Sequence, residues 1–70
     1  MATKEQLENS FTYHAPKGDQ PARYVELRDK AKELSFLILE KTPPSREQSL
    51  AITKLEESIM WANKAIACNE

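Results

Sequence analysis

The chain has 70 residues, a formal net charge of −1, one cysteine and one histidine. A single domain of this length builds a thin core, so a lone chain would be stable by only a few kcal/mol. One cysteine excludes an internal disulfide, one histidine leaves no cluster for a metal ion, and the near-neutral charge argues against long nucleic acid as a partner. A small anionic ligand held by a few focused cations is compatible with this balance.

Neither a targeting segment nor a membrane span is predicted. The first ten residues are polar and lack the apolar core of a signal peptide. No apolar run exceeds the four residues of Phe36–Leu39, far fewer than the ~20 residues that cross a bilayer. Together with the single cysteine, Cys68, this predicts a soluble protein of a reducing, intracellular compartment.

The first 20 residues are predicted to form an N-terminal arm, extended or in part a short helix. Thr3 and Gln6 have the spacing of a capping box, which favours a frayed helical turn within residues 1–10. Phe11, Thr12 and Tyr13 favour extended backbone, and Gly18-Asp19 indicates a turn before the first long helix.

A first long helix is predicted over residues 21–41. Asp19 is a candidate N-cap, and Pro43 ends the helix because proline cannot continue it. Apolar side chains recur at steps of three and four residues, which defines one helix face. This face consists of Tyr24, Leu27, Ala31, Leu34 and Ile38.

A second long helix is predicted over residues 45–67. Ser45 is a good N-cap, and Gln48 three residues later completes a capping box. The same three-and-four spacing defines an apolar face of Ile52, Leu55, Ile59, Ala62 and Ile66.

These elements predict an all-α, single-domain protein over residues 1–70. The short turn at residues 42–45 makes the two long helices an antiparallel hairpin. Apolar residues on both helices lie outside the two facing stripes. They are Phe36, Leu37 and Leu39 on the first helix and Leu50, Ala51, Met60 and Trp61 on the second. We therefore expect several hairpins to assemble into a homo-oligomeric helical bundle, the alternative being a monomer whose arm covers the spare face.

Several side chains are candidates for binding an anionic ligand with aromatic rings. Arg28 and Lys32 share one helix face and can meet phosphates, or can simply be solvated charges paired with Asp29 and Glu33. Phe11, Tyr13 and His14 offer flat rings on which a base can stack, although Phe11 and Tyr13 can equally pack the arm onto the hairpin. Arg46 lies at a helix N-terminus, where an anion or ordinary capping fits. Trp61, Asn63 and Lys64 can line a pocket, but a tryptophan here favours an interface.

Catalytic chemistry finds no support in the pattern. Glu56 and Glu57 are adjacent and so point in different directions on a helix, unlike a paired-carboxylate site. The chain has no Gly-rich phosphate loop and no supported Ser/His/Asp set. We expect a protein that is not an enzyme, with no catalytic residues, no metal and no cofactor.

Residues 43–67 read PPSREQSLAITKLEESIMWANKAIA, and this run is specific. It resembles the helical hairpin of the phage anti-CBASS protein 2 family, which is shared by Thoeris anti-defence sponges, and residues 11–40 resemble that family too. The resemblance implies a hexamer that binds cyclic dinucleotides, and in some members cyclic trinucleotides, between protomers without cleaving them. It would act in the cytoplasm of an infected bacterial cell, where sequestration keeps the CBASS effector inactive and the phage replicates.

The resemblance also implies roles for individual residues. Tyr13 would stack on a base and Arg28 would meet a phosphate. Lys32, His14, Phe11 and Arg23 are further candidates, and Phe11 can take the place of Tyr13. A second ligand site would involve Arg46, Thr53 and Lys64.

Three other functions stay open. Thoeris-directed relatives capture cyclic ADP-ribose isomers, so such a signal is an alternative ligand. The apolar residues Met60 and Trp61 and the Phe36–Leu39 face also fit a helical module that binds a host protein. A hydrolase of cyclic messengers is a third alternative.

Overall fold

The structure, a computed structural model, describes residues 3–70 and contains three α-helices. They are α1 (Lys4–Phe11), α2 (Gln20–Lys41) and α3 (Arg46–Asn69). No strand occurs within residues 3–70, so the predicted all-α class is confirmed. The predicted helical turn at residues 1–10 falls partly on residues 1 and 2, which lie outside the described part of the chain.

Helix α1 is a short helix with a complete capping box. The Gln6 amide donates to Oγ1 of Thr3 at 3.1 Å, and the Thr3 amide donates to Oε1 of Gln6 at 2.9 Å. The helix runs through Phe11, so the prediction of extended backbone there is wrong, because the capped helix outweighs the β preference of its last residue. Thr12 is extended and ends the helix.

Helix α2 begins one residue before the predicted start. Asp19 is the N-cap residue, as predicted, but its side chain makes no capping hydrogen bond. Its carboxylate lies 3.3 Å from Nη2 of Arg23 instead. At the other end Thr42 has extended backbone, and its amide donates to the Ile38 carbonyl at 3.1 Å.

Helix α3 begins with half of the predicted capping box. The Gln48 amide donates to Oγ of Ser45 at 3.1 Å. The Gln48 side chain does not return to the Ser45 amide. Its Nε2 donates to the carbonyl and to the hydroxyl of Thr42, both at 3.0 Å. The reciprocal bond was predicted wrongly because the tight turn brings the end of α2 within reach of Gln48.

Helices α2 and α3 pack as the antiparallel hairpin. Ile52, Leu55, Ile59, Ala62 and Ile66 are half-buried on α3, as their spacing predicts. On α2, Leu34 is exposed and Ser35 takes its place in the seam, which corrects the predicted stripe. The reason is the helix angle, since Ser35 lies about 40° from Ala31 around the axis and Leu34 about 60°.

Helix α1 lies against the other side of α3. Nδ2 of Asn9 donates to the carbonyl of Cys68 at 2.9 Å. Cys68 is nine residues from the seam residue Ile59, which corresponds to about 180° around the helix. Helix α3 therefore lies between α2 and α1 in a single layer.

This layer has no second layer packed on it. Its extents are 44 × 30 × 14 Å, and its radius of gyration of 15.3 Å exceeds the about 11 Å expected for a compact chain of this length. Within residues 3–70 no hydrophobic side chain is fully buried. None of the helices in that range is long and apolar enough to span a bilayer.

Candidate functional site

A cleft of about 380 Å³ lies along the seam of the hairpin on one broad face of the layer. We call it the hairpin cleft. Its floor is apolar and its rim carries two cations and one carboxylate. The lining residues are Arg28, Ala31, Lys32 and Ser35 from α2 and Ile52, Leu55, Glu56 and Ile59 from α3.

The two cations of the hairpin cleft are not neutralised within the chain. Arg28 and Lys32 are one helical turn apart, and neither forms an ion pair with a described residue. Glu33, one of the partners considered for them, pairs with Lys30 at 3.7 Å instead. Nζ of Lys32 lies 5.9 Å from the centroid of the Phe36 ring, a cation–π contact that leaves its hydrogen-bonding capacity free.

The aromatic candidates lie on the α1–α2 linker, residues 12–19, and at the end of α1. Tyr13 is 83% exposed and Phe11 is 87% exposed, so neither packs onto the hairpin of its own chain. His14 is half-buried, and its Nε2 lies 2.8 Å from the Asn9 carbonyl, to which it donates. The rings of Tyr13 and Phe11 are therefore free to stack, but neither residue lines the hairpin cleft of the same chain.

Arg23 is already engaged in a cluster that we call the clasp, formed by Gln20, Arg23 and Glu70. The Arg23 guanidinium donates to both carboxylate oxygens of Glu70, with Nη1 to Oε2 at 2.8 Å, and it also meets Asp19. These hydrogen bonds from Arg23 lower the pKa of Glu70 to about 2, and the hydrogen bond with Glu70 raises the pKa of Arg23. Arg23 has little left for a ligand.

Sequence reasoning missed the clasp. Gln20 is 4% exposed, its Nε2 donates to Oε1 of Glu70 at 3.3 Å, and its Oε1 accepts from the Lys17 amide at 3.2 Å. The hairpin topology could have indicated it, because two antiparallel helices of similar length bring the start of α2 beside the end of α3. An arginine at one end and a glutamate at the other are then candidates for a pair.

The three second-site candidates do not meet within one chain. Arg46, Thr53 and Lys64 are all exposed on α3. Their spacings of seven and eleven residues place them along one side of the helix, separated by about 10 and 16 Å. They form a stripe, so any shared small ligand would need a second copy to complete the site.

A second cleft of about 420 Å³ separates α1 from α3. Trp61 and Lys64 line it, as considered from the sequence, whereas Asn63 does not. Nζ of Lys64 lies 5.6 Å from the Trp61 ring centroid, and Trp61 is 61% exposed. The remaining lining residues are Gln6, Asn9, Ser10, Ala65, Cys68 and Asn69.

A comparison with protein families decides the relationship. A family model described as Acb2/Tad1, hairpin domain, matches residues 3–67. The chain belongs to this family. Searches of curated proteins and of solved structures return no match.

Membership of the Acb2/Tad1 hairpin family confirms the resemblance drawn from the sequence and is consistent with an anti-defence sponge role. The match includes α1, α2 and most of α3, and so the whole hairpin cleft. It ends at residue 67, so Glu70 of the clasp lies beyond the matched range.

Hydrolytic machinery is sparse around the hairpin cleft. Glu56 is its one carboxylate, while Glu57 pairs with Lys54 at 3.4 Å. The Ser35 hydroxyl donates to the Lys32 carbonyl at 2.8 Å. Among residues 3–70 no three His, Cys, Asp or Glu side chains are grouped so that they could hold a metal ion.

Proposed function

We propose that this protein is an anti-defence sponge that assembles from several copies and sequesters a cyclic oligonucleotide without cleaving it. Inhibition of CBASS immunity in the cytoplasm of an infected bacterial cell would follow from that capture. The observation that carries the proposal is the hairpin cleft, where Arg28 and Lys32 stand together without a paired carboxylate. Two free cations above an apolar floor suit a ligand with phosphates and flat bases.

Surface area supports assembly. The chain exposes 5836 Å², against about 4,450 Å² expected for a compact protein of this length. The excess of about 1,400 Å² is close to two standard interface patches of about 800 Å² each. A chain with two such patches joins two neighbours, and a closed ring or cage results when the rotation closes. A hexamer is one assembly of this kind.

We assign the assembly surface to the broad face opposite the hairpin cleft. Relative to Ala31, Leu34 and Leu37 lie about 60° and 120° around α2 in one direction. Arg28 and Lys32 lie about 60° and 100° around it in the other. Leu34 and Leu37 are both exposed, so each has apolar surface left to bury.

Helix α3 contributes small side chains to the same face. Ala51, Ser58 and Ala62 lie on the side of α3 away from Glu56, which lines the hairpin cleft. Small residues let a neighbouring helix approach closely, so exposed leucines from one copy can fit against α3 of another. Burial of this face completes the core that the single layer lacks.

The ligand site is proposed to form between copies. Tyr13 is exposed on the α1–α2 linker and does not line the cleft of its own chain. A neighbouring copy can therefore supply the stacking ring while Arg28 and Lys32 hold phosphates. His14 and Phe11 are flanking candidates, and Arg46, Thr53 and Lys64 are candidates for a second site completed by another copy.

What the cleft offers to a phosphodiester supports capture without cleavage. Its lone carboxylate, Glu56, lies beside two cations, and its hydroxyl, Ser35, donates to the backbone. Neither is arranged with a supporting base to activate a nucleophile. To compete with an effector, capture should be nanomolar, about −12 kcal/mol.

The test is calorimetry with cyclic di-AMP, cyclic di-GMP and 3′,3′-cyclic GMP–AMP, followed by chromatography of the recovered ligand. We expect nanomolar binding of at least one compound, recovered intact. Arg28→Ala should weaken it at least ten-fold because a charge-assisted bond to phosphate is lost. Lys30→Ala is the matched control, since Lys30 pairs with Glu33 outside the cleft. Equal affinities of wild type and Arg28→Ala would reject the site.

Two alternatives enter the same test. The family model joins Acb2 with Tad1 in its description, so cyclic ADP-ribose isomers belong in the ligand panel. The exposure of Met60 and Trp61 fits a surface that binds a host protein. If only a cyclic ADP-ribose isomer binds, that compound takes the place of the cyclic oligonucleotide as the proposed ligand. If the protein captures a host protein and binds no nucleotide, host-protein binding takes the place of the sponge as the proposed function.

A further inference from the structure

The last turn of α3 holds both ends of the α1–α2 linker, residues 12–19. At the first end, Nδ2 of Asn9 donates to the Cys68 carbonyl at 2.9 Å, and His14 donates to the Asn9 carbonyl at 2.8 Å. At the second end, the clasp ties Gln20 and Arg23 to Glu70. The linker that carries Tyr13 is thus fastened at two points to one helical turn.

The hydrogen bonds that Gln20 makes in the second fastening are part-buried, whereas those of Arg23 with Glu70 are exposed. Gln20, at 4% exposure, is the one buried residue among residues 3–70, and both ends of its amide are used. Its Oε1 accepts from the amide of Lys17, which belongs to the linker, and its Nε2 donates to Glu70. Gln20 therefore transmits the position of Glu70 to the linker backbone.

Other hydrogen bonds hold only the two ends of the linker: the Thr12 hydroxyl donates to the Glu8 carbonyl at 2.6 Å, and the Gln20 amide donates to the Lys17 carbonyl at 3.0 Å. Between them the backbone forms neither helix nor strand, Tyr13 is almost fully exposed, and Gly18 turns the chain with a φ of +58°, a conformation that glycine adopts without strain. Because no apolar side chain of the linker is buried, hydrogen bonds to α3 and α1 must set where Tyr13 stands.

We infer that Glu70 is a positioning residue for ligand capture: through Arg23 and Gln20 it holds the linker so that Tyr13 is presented as a stacking ring. The inference rests on the proposed function for its ligand, but the holding of the linker does not. Arg23 then acts through Glu70 and touches no ligand. Its guanidinium is paired with the Glu70 carboxylate, whereas Arg28 and Lys32 form no ion pair with a described residue.

The experiment compares Glu70→Gln with wild type by ¹⁵N relaxation in the absence of ligand. Wild-type linker amides should have order parameters of about 0.85, and those of Glu70→Gln should fall below about 0.6. Residues 24–66 should keep their values, because the hairpin seam is untouched. Glu57→Gln is the matched control, an α3 carboxylate that pairs with Lys54 away from the linker.

Rescue and affinity separate positioning from general stability. Glu70→Asp keeps a carboxylate that can accept from Arg23 and Gln20, so it should retain more linker order than Glu70→Gln. Cyclic dinucleotide affinity should fall at least five-fold in Glu70→Gln and by less in Glu70→Asp. Unchanged linker order in Glu70→Gln, equal loosening of the hairpin, or a looser linker with unchanged affinity would each overturn the inference. If wild type binds no cyclic nucleotide but the linker loosens in Glu70→Gln as described, Glu70 does hold the linker and the proposed function fails.

Discussion

Replacing Leu37 by glutamate should break the assembly apart. Leu37 is 48% exposed in the single chain and lies on the face opposite the hairpin cleft. Full burial of a leucine contributes about 1.5–3 kcal/mol, so the half that is still exposed is worth about 1 kcal/mol on association. A carboxylate in the same place would lose that gain and would be desolvated without a partner, which costs a further several kcal/mol.

The combined loss is at least about 3 kcal/mol per contact, which lowers the association constant more than about 100-fold. Sedimentation velocity over a concentration series measures this directly. Leu37→Met is the matched control, because it keeps volume and apolar character and should cost less than about 1.5 kcal/mol. An assembly of Leu37→Glu with the wild-type sedimentation coefficient at every concentration would refute the assignment of this face.

Three further predictions follow from individual contacts. Because Arg23 lowers the pKa of Glu70 from 4.5 to about 2, the clasp should stabilise the linker fully above pH 4.5 and lose this effect as pH falls through about 2. The loss should appear as faster linker motion in ¹⁵N relaxation, and the same pH dependence in Glu70→Gln would contradict the prediction. Ser45→Ala should cost about 1 kcal/mol, measured as a lower urea midpoint, because the Gln48 amide loses its cap; Ser49→Ala, which removes no capping bond, should not lower it. Glu56→Gln should tighten cyclic dinucleotide binding about two-fold in calorimetry by removing a like charge from the cleft, and weaker binding would mean that Glu56 contacts the ligand.

Periodicity predicted the helices and most of the seam because it reads local geometry. Every predicted seam residue of α3 is half-buried, whereas the prediction of Leu34 in the α2 seam was wrong. Leu34 lies about 60° from Ala31 around the helix axis and Ser35 about 40°, and apolar character alone does not show which of the two faces α3. Ser35, a polar residue, fills the seam because the edge of a thin hairpin still reaches water.

Side-chain partners were harder to predict than helices. The Gln48 side chain was predicted to complete a capping box, yet it bonds to Thr42, which the α2–α3 turn brings near. Asp19 is the predicted N-cap residue, but its carboxylate pairs with Arg23 and makes no capping bond. The clasp joins residues 47 apart in sequence, so no local pattern indicates it. The cations of the hairpin cleft were predictable as a pair at one turn's spacing, but their freedom from Asp29 and Glu33 depends on which rotamers the neighbours adopt.

Native mass spectrometry of the full chain, alone and with cyclic dinucleotides, tests the central claim most directly. The account predicts a closed oligomer that gains a whole number of intact ligands. Single chains that gain no mass from any of the compounds would contradict it.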